Sequence, residues 1–225
     1  MGKAEELMDN ACACLREGKF REAIKEYQDA IRIDPKNAIA HKNLGSLYYR
    51  QTMLDESIVE FKKAVELNPN FSDAHYELGI SLYRRGKLEE GIRSFDQALK
   101  INPNFHIARY WLGLSYFYIG KLNQAIEEFK SVIAKAPQIV IAHYHLGAAF
   151  AQERKFDEAI MQFEKFVKEV PESAAAYYHL GTNYYNKGDV EKAMLNFRKA
   201  ADIDPSDERA KKNLATLEDL RSKFF

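Results

Sequence analysis

The chain has 225 residues, 46% hydrophobic and 29% charged, which is the balance of a globular protein and excludes a disordered one. Lys+Arg and Asp+Glu both number 33, which argues against a dedicated nucleic-acid or membrane-surface binder, because those carry a basic excess. No apolar run reaches the roughly 18 residues needed to span a bilayer, and two cysteines, Cys12 and Cys14, are too few for a disulfide framework.

The first residues, MGKAEELMDN, hold no apolar stretch of the kind that directs secretion. With the free cysteines read as small packing residues, a cytoplasmic protein is expected. Beyond this start the chain repeats itself. HYELG at 75–79 returns as HYHLG at 143–147 and YYHLG at 177–181. Gly45, Gly79, Gly113, Gly147 and Gly181 are each 34 residues apart, and so are Pro35, Pro69, Pro103, Pro137, Pro171 and Pro205, which are all the prolines of the chain. A fixed period of this length marks a stacked repeat architecture. The copies fall at 4–37, 38–71, 72–105, 106–139, 140–173 and 174–207, without an insertion, and are expected to form one domain.

The first copy departs from the rest, with Asn10 and Ala11 where later copies have Leu and Gly. Terminal repeats are often atypical because one side faces water. The third has Gly91 where an Ala is usual, a small loosening. The fourth shows the plan most clearly: HIARYWLGLSYFYIGKLNQAIEEFKSVIAKAP divides at Gly120. After the division, Leu122, Ala125, Ile126, Phe129, Val132 and Ile133 recur at gaps that make one helical stripe, with polar residues opposite. Pro137 stops the helix. Each copy is therefore helix, tight turn, helix, stop. Gly18, Gly86, Gly120 and Gly188 sit at the turn, where a positive φ is needed. Copies four and five put Val132 and Phe166 where others have Ala30, Ala64, Ala98 and Ala200, and compensating packing with a local change of superhelical pitch is expected there. Residues 207–223 begin like a seventh copy, with Ala210, Leu214 and Ala215 in register, and predict a capping helix. Phe224 and Phe225 then either tuck onto the cap or enter a neighbouring copy.

These residues resemble the tetratricopeptide repeat family, whose 34-residue pattern is W-x2-L-G-x2-Y, then A-x3-F, then P. The second copy reads His41, Leu44, Gly45, Tyr48, Ser57, Phe61, Pro69; the fourth reads Arg109, Leu112, Gly113, Tyr116, Ala125, Phe129, Pro137; the sixth reads Tyr177, Leu180, Gly181, Tyr184, Ala193, Phe197, Pro205. The resemblance implies an all-α protein, a right-handed α-solenoid superhelix of antiparallel helix pairs.

In the fourth copy the first helix carries two apolar stripes. Ala108, Leu112, Ser115, Tyr116 and Ile119 form one. Ile107, Tyr110, Leu114, Phe117 and Tyr118 form another, about half a turn away. The first packs within the stack, and the resemblance implies that the second lines the concave inner surface. The same slots hold Ile39, Lys42, Ser46, Tyr49 and Arg50 in copy two; Asp73, Tyr76, Ile80, Tyr83 and Arg84 in copy three; Ile141, Tyr144, Ala148, Ala151 and Gln152 in copy five; Ala175, Tyr178, Thr182, Tyr185 and Asn186 in copy six. With Glu5, Arg16, Arg209 and Lys212 added, this stripe has six basic and two acidic residues. Tyr and Arg are the types in which interfaces concentrate binding energy. The expected partner is a peptide or helix segment of another protein with apolar anchors and acidic flanks, and no nucleic acid, inserted membrane or cofactor.

Family members of one subset clamp a C-terminal carboxylate of heat-shock chaperones. Asn43 fits one of their slots, but Met8, Cys12, Asp73 and Glu77 stand where the basic or polar partners belong. Asn43 and Asn213 are also too isolated for the asparagine ladder of sugar-transferring relatives. Catalysis has no motif here. His41, His75 and His143 fill one repeated slot and read as half-buried packing, and His143 and His145 point to different faces of a helix, so they cannot chelate one metal. A non-enzymatic scaffold or adaptor is expected. The alternatives are a self-assembling structural protein, giving homo-oligomers, and the regulatory part of a larger enzyme.

Overall fold

The computed structural model describes residues 2–224; the side chains of Phe224 and Phe225, and with them the expectation that they tuck or swap, lie outside the described residues. Among the described residues there are thirteen helices and no strand. They group into two compact units, one running to Ser115 and the other from Tyr116 onward. The first holds α1 (Lys3–Arg16), α2 (Phe20–Ile33), α3 (Ala38–Arg50), α4 (Leu54–Leu67), α5 (Ser72–Arg84) and α6 (Leu88–Ile101). The division falls inside α7 (His106–Tyr118). The second holds α8 (Leu122–Lys135), α9 (Ile141–Gln152), α10 (Phe156–Glu169), α11 (Ala174–Asn186), α12 (Val190–Ile203) and α13 (Glu208–Phe224).

Inside each unit, odd and even helices pair as antiparallel hairpins, and each hairpin packs on the next: α4 on α5 in the first, α10 on α11 in the second. The turn within a hairpin needs one residue in the left-handed region. Gly18, Gly86, Gly120 and Gly188 take φ of 74°, 79°, 77° and 88° there, as their position predicts. The same register position in copies two and five is filled by Thr52 and Arg154, at φ 62° and 59°. These two side chains are held in a conformation that costs an L-residue about 1–2 kcal/mol. The even helices end at Ile33, Leu67, Ile101, Lys135, Glu169 and Ile203, two residues before each proline.

The repeated Gly and Phe form one contact. A Cβ on Gly79 would lie 2.6 Å from the Phe95 ring, on Gly45 2.9 Å from Phe61, on Gly147 3.1 Å from Phe163 and on Gly181 2.7 Å from Phe197. In these four repeats the ring of the even helix lies flat against the backbone of the odd one, with no room for a side chain between them. Phe61, Phe95 and Phe163 are wholly buried. The first copy does this differently: Ala11 packs with Tyr27, whose hydroxyl lies 3.4 Å from Cys12 Sγ. Phe166, the large residue of copy five, packs 5.4 Å from the ring of Tyr144. At the far end Leu214 and Leu217 of α13 close over Ala193, Met194 and Phe197.

Candidate interaction surface

In the first unit the face of α3, α5 and α7 opens into a cleft of about 350 Å³. Tyr49, Tyr76 and Trp111 form its aromatic walls, and Ser46, Arg50 and Glu77 its polar ones. Tyr83 meets Trp111 edge-on at 5.2 Å, and Arg84 lies 5.0 Å over the ring of Tyr49. Burial raises the Tyr76 hydroxyl above the usual phenol range, so it stays protonated and available as a donor. Lys42 belongs to this face, but it is not a free charge: Glu77 holds it at 2.9 Å and also accepts from Ser46. The exposed cations here are Arg50 and Arg84. Tyr110 and Leu114 are only 7% and 5% exposed, so they serve as floor and packing, while Ile107 on the same stripe remains open.

In the second unit the corresponding face of α9 and α11, with the end of α7, forms a cleft of about 400 Å³. Phe117 and Tyr118 stand edge to face at 5.5 Å on one side, and Tyr144 meets His179 at 5.5 Å on the other. Tyr118 and Tyr185 are more than half exposed, and Ile141 is also open. Tyr178 lies under the guanidinium of Arg209 at 4.9 Å, which is itself paired with Asp207 at 2.8 Å. His145 is stacked on Phe129 and His179 on Phe163. Burial pushes the His145 imidazole down to about 4, helped by neighbouring His179, and burial followed by the charge of Arg209 lowers His179. Both rings are therefore neutral near pH 7.

Three of the other four histidines hold neighbouring segments together. His41 Nδ1 lies 2.6 Å from Glu60, His75 Nε2 3.0 Å from the Pro69 carbonyl, and His143 Nδ1 2.8 Å from Gln162. Among the described residues no three His, Cys, Asp or Glu side chains are placed to share a metal ion, and no helix is long and apolar enough to cross a membrane.

The TPR repeat family model matches residues 13–51 and 53–86, and the tetratricopeptide repeat model matches 76–138, 110–165 and 149–208. The chain belongs to the tetratricopeptide repeat family. Its fold is that family's all-α helical repeat, and its class is that of protein–protein interaction scaffolds, typically non-catalytic. No curated protein matches significantly. Among solved structures it is similar to YrrB, a TPR protein with an unusual peptide-binding site, at 25% identity and TM-score 0.74, covering 83% of this chain and 96% of that one. It is similar to MamA from Desulfovibrio magneticus RS-1 at 26% identity and TM-score 0.72, covering 76% and 97%. PilW, a type IV pilus biogenesis factor, shares the fold at 21% identity and TM-score 0.75, covering 95% and 97%.

One set of repeat positions lies on neither apolar stripe, and only Asn43, Glu77 and Asn213 of it come into the sequence reading, as slots of known family sites. The residue before each Leu-Gly pair is Asn43, Glu77, Trp111, His145 or His179, and Asn213 in the cap. It never holds an aliphatic side chain, and that is the signal that could have found it. Glu77, Trp111, His145 and His179 each line one of the two clefts, and Asn213 reaches the Tyr178 hydroxyl at 3.5 Å.

Proposed function

We propose that the protein is a non-enzymatic scaffold or adaptor that binds a segment of a partner protein, peptide or helix, along the aromatic faces of its odd-numbered helices. The observation that carries this reading is the exposure of Tyr118 and Tyr185, at 58% and 51%, on helices whose other apolar stripe is already buried. Large aromatics left in water beside a complete core mark contact surfaces. The likeness to YrrB, a TPR protein with a peptide-binding site, supports it at the level of the fold's use. In the first unit the exposed cations Arg50 and Arg84, which lie over the rings of Phe20 and Tyr49, suit acidic residues beside an apolar anchor.

The test begins with capture of partners on the immobilised protein and identification by mass spectrometry, followed by titration of the purified partner segment. Tyr49→Ala combined with Tyr118→Ala and Tyr185→Ala is expected to weaken binding by at least about 2 kcal/mol without unfolding the chain, as hot-spot truncations do. Arg50→Glu with Arg84→Glu is expected to slow association more than it speeds dissociation. Full-strength binding by the tyrosine triple variant refutes the assignment. A second reading, self-association, is favoured by an apolar cleft of about 680 Å³ between the α11–α12 turn and α13, where Val190 and Leu220 are exposed. Mass that rises with concentration in light scattering would support it.

A further inference from the structure

In four of the six repeats the first helix carries an aromatic ring at one register position: Tyr49, Tyr83, Phe117 and Tyr185. This ring leans on the next repeat. Tyr83 meets Trp111 edge-on at 5.2 Å, with an interplanar angle of 71°. One period later, Phe117 meets His145 at 6.4 Å and 64°. In both pairs the partner is the residue before the Leu-Gly pair of the following repeat. Tyr49 and Tyr185 each line a cleft together with the residue in that slot of the next odd helix, Glu77 and Asn213.

Copy five breaks the row. One period after Phe117 stands Ala151, and the residue that a ring there would meet is His179. Ala148, one turn earlier on the same face, is also small, where Ile80, Leu114 and Thr182 stand in copies three, four and six. The cleft of about 400 Å³ opens at this place, with Ala148, Ala151 and His179 in its wall. All three are part-exposed, so a group entering from solvent reaches them. Phe166, the large residue of this repeat, does not take the place of the ring. It is 5% exposed, packs on Tyr144, and forms no part of the cleft wall.

The walls set the chemistry of what fits. None of the residues lining the cleft is Asp, Glu, Lys or Arg. The imidazoles of His145 and His179 are held neutral by burial. A charged side chain would give up its water here and find no counter-charge in the wall. His179 stacks on Phe163 through one face, at 5.2 Å and 3°, and meets Tyr144 edge-on. Phe117 and Tyr118 stand on the other side. An aromatic ring gains from edge and tilted contacts of this kind beyond the area it buries.

We propose that this cleft takes an uncharged aromatic side chain of the partner segment, phenyl or phenol, which sits beside Ala151 and against His179 in the place where four other repeats carry a ring of their own. The partner thus completes a row of contacts that the chain itself interrupts once. This inference rests on the partner-segment reading above and deepens it, by naming the anchor that one of the two faces takes.

The experiment uses the full chain and small probes that carry one side chain each. N-acetyl-phenylalaninamide is titrated at millimolar concentration while the imidazole signals of His145 and His179 and the methyl signal of Ala148 are followed by carbon–proton correlation NMR. The expected result is a saturable shift of these signals, with N-acetyl-leucinamide binding about fivefold more weakly for want of the ring contacts. Ala151→Tyr restores the residue of copies two, three and six, and is expected to keep the fold and abolish the shift. Ala148→Leu, which copies Leu114 of copy four, narrows the same cleft from another part of its wall and gives the same readout through the imidazoles if the tyrosine variant melts early. The absence of a saturable shift in the unaltered protein overturns the proposal, as does an undiminished shift in the folded variant. Equal binding of the leucine probe, or tighter binding of N-acetyl-argininamide, overturns it too. With the partner segment itself, full-strength binding by Ala151→Tyr but not by the tyrosine triple variant removes this subsite alone; full-strength binding by both removes the surface assignment with it.

Discussion

Two glycines of the third repeat give a test in which helix propensity and packing predict opposite signs. Gly79 lies in α5 and Gly91 in α6, and each costs its helix about 1 kcal/mol relative to Ala. On propensity alone, Gly79→Ala and Gly91→Ala both stabilise. The surroundings separate them. A Cβ at Gly79 would come within 2.6, 2.7 and 2.9 Å of three carbons of the Phe95 ring, where ordinary contact starts near 3.4 Å. Phe95 is wholly buried and packs against Tyr76 at 6.2 Å, so the ring cannot swing away. Overpacking of this kind costs about 1–3 kcal/mol, and a clash this deep falls in the upper part of that range. The net expectation for Gly79→Ala is a loss of about 1–2 kcal/mol. A Cβ at Gly91 would meet the Gly79 carbonyl at 3.3 Å, the Tyr83 nitrogen at 3.6 Å and Leu82 Cβ at 3.8 Å. Ala23, Ala125, Ala159 and Ala193 occupy its register position in other repeats, all fully buried, so the hairpin accommodates a methyl there. Gly91→Ala is expected to stabilise by about 0.5 kcal/mol, the propensity gain less a small shift of the helix pair. Urea unfolding followed by far-UV circular dichroism reads both, and Phe95→Leu in the Gly79→Ala background completes a cycle. Removing the ring is expected to recover much of the loss, with a coupling above about 0.5 kcal/mol. A Gly79→Ala protein as stable as Gly91→Ala would refute the claim that the ring-on-backbone contact, and not turn chemistry, explains the repeated glycine.

Acid should weaken the second unit through His145. Its imidazole titrates at about 4 in the fold against 6.5 ordinarily, so the neutral form is the folded one and full stability is present above pH 6.5. Stability is lost as pH falls from 6.5 to 4, to the order of 3 kcal/mol at about 1.36 kcal/mol per unit; His145→Gln is expected to flatten this slope in urea midpoints measured across that range, and an unchanged slope would show the burial argument to be wrong. Arg154→Gly is expected to raise the melting temperature, because it releases a left-handed φ of 59° held by a non-glycine residue, with about 1 kcal/mol of relief. Truncation after residue 206 removes α13 and bares Met194 and Phe197; the fragment is expected to scatter light and melt early, and a soluble, fully stable fragment would remove the capping role. Hydrogen exchange should open residues 4–34 first, since that copy has polar Asn10 and Ala11 where the others have the Leu-Gly pair, and uniform protection along the chain would contradict it.

The 34-residue ladder made most of the fold legible. Gly120 and Pro137 place the turn and the stop of the fourth repeat, and α7 and α8 end at Tyr118 and Lys135 accordingly. The reason is physical: a repeat must present the same buried stripe to its neighbour every time, so Phe61, Phe95, Phe129 and Phe163 cannot drift. What escaped is what the ladder does not constrain. Thr52 and Arg154 occupy a glycine slot because a turn tolerates a strained residue when the helices on both sides hold it. Lys42 adds a positive charge to the stripe in the sequence, but Glu77 of the next repeat pairs with it at 2.9 Å, and a charge summed along one stripe ignores such partners on the adjacent helix. Tyr110 and Tyr118 belong to one apolar stripe of α7, yet their exposures are 7% and 58%, because Tyr110 lies mid-helix and Tyr118 is the last residue of α7, a difference that membership of a stripe does not show.

The slot before each Leu-Gly pair shows where repeats are free to diverge. It lies beside the repeated Leu-Gly packing, with His145 stacked on Phe129 and His179 on Phe163, and its residue varies among the repeats. In the first unit it holds Glu77 and Trp111, beside the open cations Arg50 and Arg84, and the cleft there is charged and aromatic. In the second unit it holds His145 and His179, and the cleft lined by them contains no formal charge. Two clefts of similar size, about 350 and 400 Å³, thus arise from one repeat plan with different chemistry. A partner segment that satisfied the first by acidic residues would find nothing to pair with in the second, and an uncharged aromatic anchor suited to the second would leave Arg50 and Arg84 unused. Each cleft therefore sets its own chemistry through the residue in this one slot, on a scaffold whose helix pairs repeat the same packing.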